Sequence, residues 1–218
     1  MRQHRLHSHQ GAAALGGHRA PHPLHSASLL RSIKSQAKDN GITTGEVSGD
    51  YGVAMKRSRK VADQNSKGAE FLMKKNKVTV FKGTGTLTSA TTVTVGDDTL
   101  SAKRAIVLAT GSRTKGIPPV GLEVNRTTVI TSDEALFLDA APKRLAIVGA
   151  GAVGTEFADI FATFGSEVTL IEALPRILPI EDADASDVVA KAYKKRGITV
   201  MAGVKVVKAE VGASEVTL

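Results

Sequence analysis

The stretch that most limits what this chain can fold into is residues 145–173, "LAIVGAGAVGTEFADIFATFGSEVTLIEA". Leu145-Ala-Ile-Val148 is an apolar run of strand length, and Gly149-Ala150-Gly151-Ala152-Val153-Gly154 follows at once. Beyond the glycines, Val153, Phe157, Ile160, Phe161 and Phe164 recur at helical spacing and predict one apolar helix face. Gly165 stands where a helix would stop. "EVTLIE" then predicts a second strand ending in the acid Glu172. "DASDVVAKAYKKRG" predicts another helix, capped by Asp184 or Ser186 and stopped by Gly197, and "ITVMAG" a third strand. Strands alternating with helices at this spacing predict an α/β unit with a parallel sheet.

Each part of the first turn has a physical role in binding a dinucleotide. Gly149 permits the tight turn out of the strand, Gly151 lets a pyrophosphate approach the backbone, and Gly154 lets helix and strand pack closely. The backbone of Ala150, Ala152 and Val153 completes the turn, and the helix N-terminus offers free N–H groups to the phosphates. Glu172, 18 residues after Gly154, can accept hydrogen bonds from both ribose hydroxyls and would repel a 2′-phosphate. NAD is therefore the expected nucleotide, and Arg176 is the residue that speaks for NADP.

Composition excludes several alternatives. There is no Cys, so a disulfide framework or thiolate metal site is ruled out for the chain as written. No apolar run approaches the roughly 18 residues of a membrane span. The net charge of +8 resides in the first 77 residues, where "MKRSRK" and "MKKNK" read as solvated helix faces and ends. A nucleic-acid binder would carry stacking aromatics beside such a stripe, and aromatics are only 4% here. Neither a nucleic-acid nor a membrane partner is expected, and the location is expected to be cytoplasmic.

Upstream, residues 58–76 read as a basic amphipathic helix, and "KVTVFKGTGTLTSATTVTV" alternates like paired strands. "KRAIVLATGSRTKGIPPVG" reads as an apolar strand running into a Gly turn, with Pro118 and Pro119 as a linker. In this order, "AIVLATGS" followed by "LAIVGAGAVGTEFA" resembles the flavin-dependent pyridine nucleotide–disulfide oxidoreductases, and "KVADQNSKGAEFLMKKNKVTVFKGTGTL" their dihydrolipoamide dehydrogenase branch. The resemblance covers residues 29–218. It implies parts of two Rossmann-like (FAD/NAD(P)-binding) domains, the second carrying the glycine-rich βαβ unit. It also implies that Gly85 lies by the flavin adenine, with Thr110, Gly111 and Ser112 closing over FAD. Gly149, Gly151, Gly154 and Glu172 would hold NAD, Glu156 would face the nicotinamide, and Val206 would pack on the NAD adenine. A homodimer and a 2-oxo acid dehydrogenase complex are the partners it implies. The expected segments are an aberrant, disordered 1–28, an FAD-domain remnant 29–117, a linker 118–141 and an incomplete NAD-binding domain 142–218.

The departures from the family pattern are as informative. A first glycine-rich turn, the redox Cys-x-x-x-x-Cys pair and the catalytic His–Glu base have no counterpart in this sequence, so no catalytic residue is expected and FAD is expected to be held weakly or not at all. Where the cysteine segment should fall stands "MRQHRLHSHQGAAALG", in a region holding all six histidines. One possible gene for Cys-Val-Asn-Thr-Gly-Cys-Ile-Pro-Thr-Lys-Ala-Leu-Leu-Arg-Ser-Ala, with its third bases chosen to fit, translates in the neighbouring phase as residues 1–16 without a mismatch. His4, His7 and His9 are thus expected to be a frame-shift product rather than metal ligands, and residues 17–28 are not explained by it. A fragment of a dihydrolipoyl dehydrogenase, inactive as written, is the reading these features favour. A related mercuric- or glutathione-type reductase and a non-catalytic NAD-binding module are the alternatives.

Overall fold

A computed structural model describes residues 23–218. The frame-shift expectation for residues 1–16 lies outside the described residues. A helix, α1 (Pro23–Gln36), already occupies positions 23–28, where an irregular arm was expected. The described chain divides into two compact units: residues 62–113, and residues 23–61 together with 114–218. Residues 29–61, expected with the flavin-binding remnant, thus belong to the same unit as the glycine-rich motif.

The second unit is built on a parallel sheet of three strands, β4 (Arg144–Val148), β5 (Glu167–Glu172) and β6 (Thr199–Ala202), in that spatial order. Ala146 lies opposite Thr169, and Thr169 opposite Thr199. Helix α4 (Ala152–Thr163) forms the crossover from β4 to β5, and α5 (Ala183–Lys195) that from β5 to β6. This is the parallel α/β architecture expected from the alternating pattern. The helix stops are where the glycines place them: Gly165 and Gly197 adopt φ of 100° and 79°, which other residues enter only at a cost. The α5 cap is a correction. Asp182, not Asp184 or Ser186, caps it, with its carboxylate accepting the Asp184 N–H at 2.9 Å.

The core of this unit comprises Ile160 and Phe161 of α4, Val168 and Leu170 of β5, Ile177, Ile198 and Tyr51. Each such side chain contributes roughly 1.5–3 kcal/mol by leaving water. Tyr51, at the start of α2 (Tyr51–Lys75), stacks on Phe161 at 5.0 Å and meets Phe164 edge-on at 5.5 Å. Its buried hydroxyl donates to the Ala135 carbonyl at 2.8 Å, at the end of the short helix α3 (Ser132–Ala135). Burial pushes its pKa up to about 12. On α4, the buried Asp159 accepts from Arg31 of α1 at 2.6 and 2.8 Å and from Arg196, so its carboxylate is paired with two partly exposed guanidinium groups. Val153, expected on the apolar face, is 55% exposed because it lies in the first turn of α4, above the core.

The first unit differs in kind. The C-terminal part of α2 leads to an antiparallel meander of β1 (Gly85–Leu87), β2 (Thr92–Val95) and β3 (Asp98–Ser101). Two expected strand segments, 77–82 and 105–109, are not strands. Their apolar runs have the right composition, but no described strand pairs with them, and an extended segment becomes a strand only by sharing hydrogen bonds. Val107 is 85% and Leu108 72% exposed. Among the described residues, no helix is long and apolar enough to cross a membrane.

Candidate functional site

The chain leaves β4 at Val148 and turns through Gly149, whose φ of 104° is open to glycine but strained for other residues. The Gly149 N–H donates to the Ile171 carbonyl at 2.8 Å, tying the turn to the neighbouring strand. A Cβ on Gly154 would collide with the Gly149 carbonyl oxygen and press on Ile147, so the helix can sit this close to β4 only because residue 154 is glycine. At Gly151, by contrast, a Cβ would meet nothing within 4 Å. The turn is therefore open at Gly151, as it is at Gly149. Ala152 and Val153 are exposed in the first turn of α4, and their N–H groups precede the first intrahelical donor, Thr155, which bonds Gly151 at 3.0 Å.

Glu172, the last residue of β5, is 9% exposed and sits against this turn. Its Oε2 accepts the Ala150 N–H at 2.8 Å, and its Oε1 accepts the Leu174 N–H at 2.9 Å. Spacing placed an acid at the end of the second strand, and the structure shows it hydrogen-bonded to the turn itself. A carboxylate oxygen offers more than one acceptor direction, so ribose hydroxyls can still be received. Arg176 donates to the Pro179 and Glu181 carbonyls at 3.2 and 3.3 Å, bound to its own loop. Glu156 is half-buried in the second turn of α4. Val206 is half-buried in the irregular stretch after β6, which passes beside the acid, where the Val204 N–H donates to the Glu172 carbonyl at 3.0 Å.

The turn, the helix start and Glu172 thus converge, as their spacing requires. Gly85, Thr110, Gly111 and Ser112 do not. Gly85 begins β1, opposite Val95, while Thr110, Gly111 and Ser112 are exposed in a stretch without regular structure. Gly111 does take a φ of 75°, as a glycine turn would. No described contact gathers these four residues into a cradle for a flavin.

Sequence reasoning missed the segment after β5. Leu178 donates its N–H to the Ala150 carbonyl at 2.7 Å, and the buried Ser186, considered only as a cap, donates its hydroxyl to the Leu178 carbonyl at 3.2 Å. The flanking prolines of "LPRILP" signal a fixed turn. Nothing in them reveals which backbone group it reaches.

The geometry can be set beside known proteins. The family model described as pyridine nucleotide-disulphide oxidoreductase matches residues 5–218. A dihydrolipoyl dehydrogenase of Mycobacterium bovis is 42% identical over 200 residues, covering 89% of this chain and 42% of the relative. One of Chlorobaculum tepidum is 41% identical over 198 residues, covering 87% of this chain and 42% of the relative. Among solved structures, LpdA from Mycobacterium tuberculosis superposes with a TM-score of 0.74 at 23% identity, over 89% of this chain and 43% of that one, a likeness of fold. The HOCl-induced flavoprotein disulfide reductase RclA of Escherichia coli gives 0.68 at 25% identity, covering 89% and 40%. The chain spans less than half the length of the relatives it matches.

Proposed function

The chain belongs to the pyridine nucleotide-disulphide oxidoreductase family, and on that premise we propose that it is a piece of a dihydrolipoyl dehydrogenase whose own residues still hold NAD(H). Family membership implies FAD and a pyridine nucleotide as cofactors. The observation that carries the finer reading is the 2.8 Å hydrogen bond from Ala150 to Glu172, which joins the diphosphate turn to the ribose acid. Gly149, Gly151 and Gly154 shape the turn, Ala152 and Val153 present N–H groups, and Glu172 accepts from the ribose. Glu156 toward the nicotinamide and Val206 toward the adenine complete the proposed set. Bound there, NAD supplies a hydride acceptor, while the chain's residues bind and orient it.

Glu172 and the loop-bound Arg176 both favour NAD over NADP. A carboxylate beside the ribose repels a 2′-phosphate, and the Arg176 guanidinium is already engaged with its own loop. The flavin end is weaker. Thr110, Gly111 and Ser112 are exposed and not gathered with Gly85, so FAD is held weakly or not at all by this chain alone. The sequence as written contains no Cys, and a thiolate is required to attack a disulfide. Oxidation of dihydrolipoamide to lipoamide with NAD is thus assigned to the whole enzyme, not to these 218 residues. The same proposal places it in the cytoplasm, with a homodimer and a 2-oxo acid dehydrogenase complex as the parent enzyme's partners. Within it, 118–141 and 142–218 are assigned as linker and NAD-binding domain, and 29–117 as flavin remnant by order along the chain, although residues 29–61 pack in the same unit as the glycine-rich motif.

The test is calorimetric titration of the purified chain with NADH and NADPH. NADH should bind more tightly, and Glu172→Ala should weaken it about tenfold or more, a loss of ~1.4 kcal/mol, while narrowing the preference over NADPH. Tighter NADPH binding by the unaltered chain would sink the assignment.

A further inference from the structure

After Glu172 the chain runs "ALPRILPIED" to the cap of α5. Ile177 is 1% exposed and anchors the middle of this run in the core. The next residue, Leu178, adopts a φ of 47°, a left-handed conformation that a leucine enters only at a cost. Its backbone is held on both sides. Its N–H donates to the Ala150 carbonyl at 2.7 Å, and its carbonyl accepts the Glu181 N–H at 2.9 Å and the Ser186 hydroxyl at 3.2 Å. Ser186 is 1% exposed, and it also donates to the Asp182 carbonyl at 3.0 Å.

Ala150 is itself 0% exposed and has both backbone groups engaged, the N–H on Glu172 and the carbonyl on Leu178. The other Glu172 oxygen takes Leu174, so the hydrogen bonds close a circuit through residues 150, 172, 174 and 178. With both backbone groups of Ala150 engaged, the N–H groups of Gly151, Ala152 and Val153 follow it ahead of the first intrahelical donor, Thr155. We infer that residues 174–178 are a strap that holds the glycine turn in its diphosphate-accepting form, with Leu178 as the positioning residue. The inference rests on the NAD reading of the turn and deepens it. The strap acts on the diphosphate, and adenosine, which has none, is indifferent to it.

A β-branched residue tolerates φ above zero least, whereas glycine enters it freely and keeps the N–H. In the full chain, Leu178→Val should weaken ADP and NADH about tenfold or more and leave adenosine within about twofold, whereas Leu178→Gly should keep ADP near the unaltered value. Amide exchange at Leu178 in the nucleotide-free protein should be slow in the unaltered chain and fast in Leu178→Val. Unchanged ADP binding by Leu178→Val overturns the strap, and so does an equal loss for adenosine and ADP. If the unaltered chain binds no NADH, the NAD reading fails by itself. The exchange rate then decides: a protected Leu178 amide upholds the strap as the device that sets the turn, and one as fast as exposed loop amides overturns it.

Discussion

Two nearly identical runs, Ala105-Ile-Val-Leu-Ala109 and Leu145-Ala-Ile-Val148, meet opposite fates in this chain. The second is strand β4, paired along its length with β5, with Leu145 and Ile147 half-buried against the core. The first pairs with no described strand, and Val107 and Leu108 are among the most exposed apolar side chains. The contrast extends to the units that contain them. The glycine-turn unit holds every residue of the hydrophobic core, whereas residues 62–113 contain no buried residue at all. Phe71, Val80 and Leu87 are more than half exposed there. Apolar composition is therefore not what separates them. A βαβ crossover brings a second strand and a covering helix to β4 from within 30 residues, and the run at 105–109 has no such neighbour.

The largest expected difference between the units is in hydrogen exchange. Amides of Val168–Ile171 in β5 should exchange about a thousandfold or more slowly than those of 78–82 and 105–109, since local opening free energies follow buried contacts. Comparable protection at 105–109 would break the comparison, by showing that this run is paired in solution.

Glycine substitution sharpens the contrast next. Gly154→Ala sets a methyl against the Gly149 carbonyl and should destabilise the second unit by about 3 kcal/mol or more. At Gly68, within α2, a Cβ meets nothing within 4 Å, so Gly68→Ala should raise helix content and stability by no more than about 1 kcal/mol. Urea unfolding separates the two when tyrosine fluorescence follows the second unit and far-ultraviolet circular dichroism follows helix content, and equal effects would deny the second unit its tighter packing.

Tyrosine titration gives the smallest effect and the most selective one. The chain has two tyrosines, Tyr51 and Tyr193, and both lie in the second unit. Burial raises each pKa to about 12; for Tyr193 the Asp159 charge adds to the rise while Arg196 opposes it. A pKa raised on folding means that the native state keeps its proton longer. The associated stability is thus complete below about pH 10 and is lost as pH climbs from 10 to 12, at most about 2–3 kcal/mol per tyrosine. Tyrosinate absorbance should rise late, together with loss of the core. Ionisation of both near pH 10 with the second unit still folded would contradict their burial.

Periodicity and glycine spacing made much of the second unit legible. Strand β5 was anticipated to the residue, Gly165 and Gly197 end their helices, and Glu172 lies beside the turn, because these are local demands of a strand–turn–helix unit. The α/β class could likewise be argued from "GAGAVG" and its surroundings, and the family from that stretch together with "AIVLATGS" and "KVADQNSKGAEFLMKKNKVTVFKGTGTL" upstream. Tertiary structure decided the rest. Whether 78–82 and 105–109 are strands depends on a partner outside the segment itself, because an extended run becomes a strand only through ladder hydrogen bonds to a neighbouring one. The α5 cap moved to Asp182, and Ser186 turned inward to Leu178, because burial selected among several capable side chains in one short run. The strap joins backbone atoms of Ala150 and Leu178 across 28 positions. Residue identity says little about where a main-chain N–H will find its acceptor, so only the folded chain could show it.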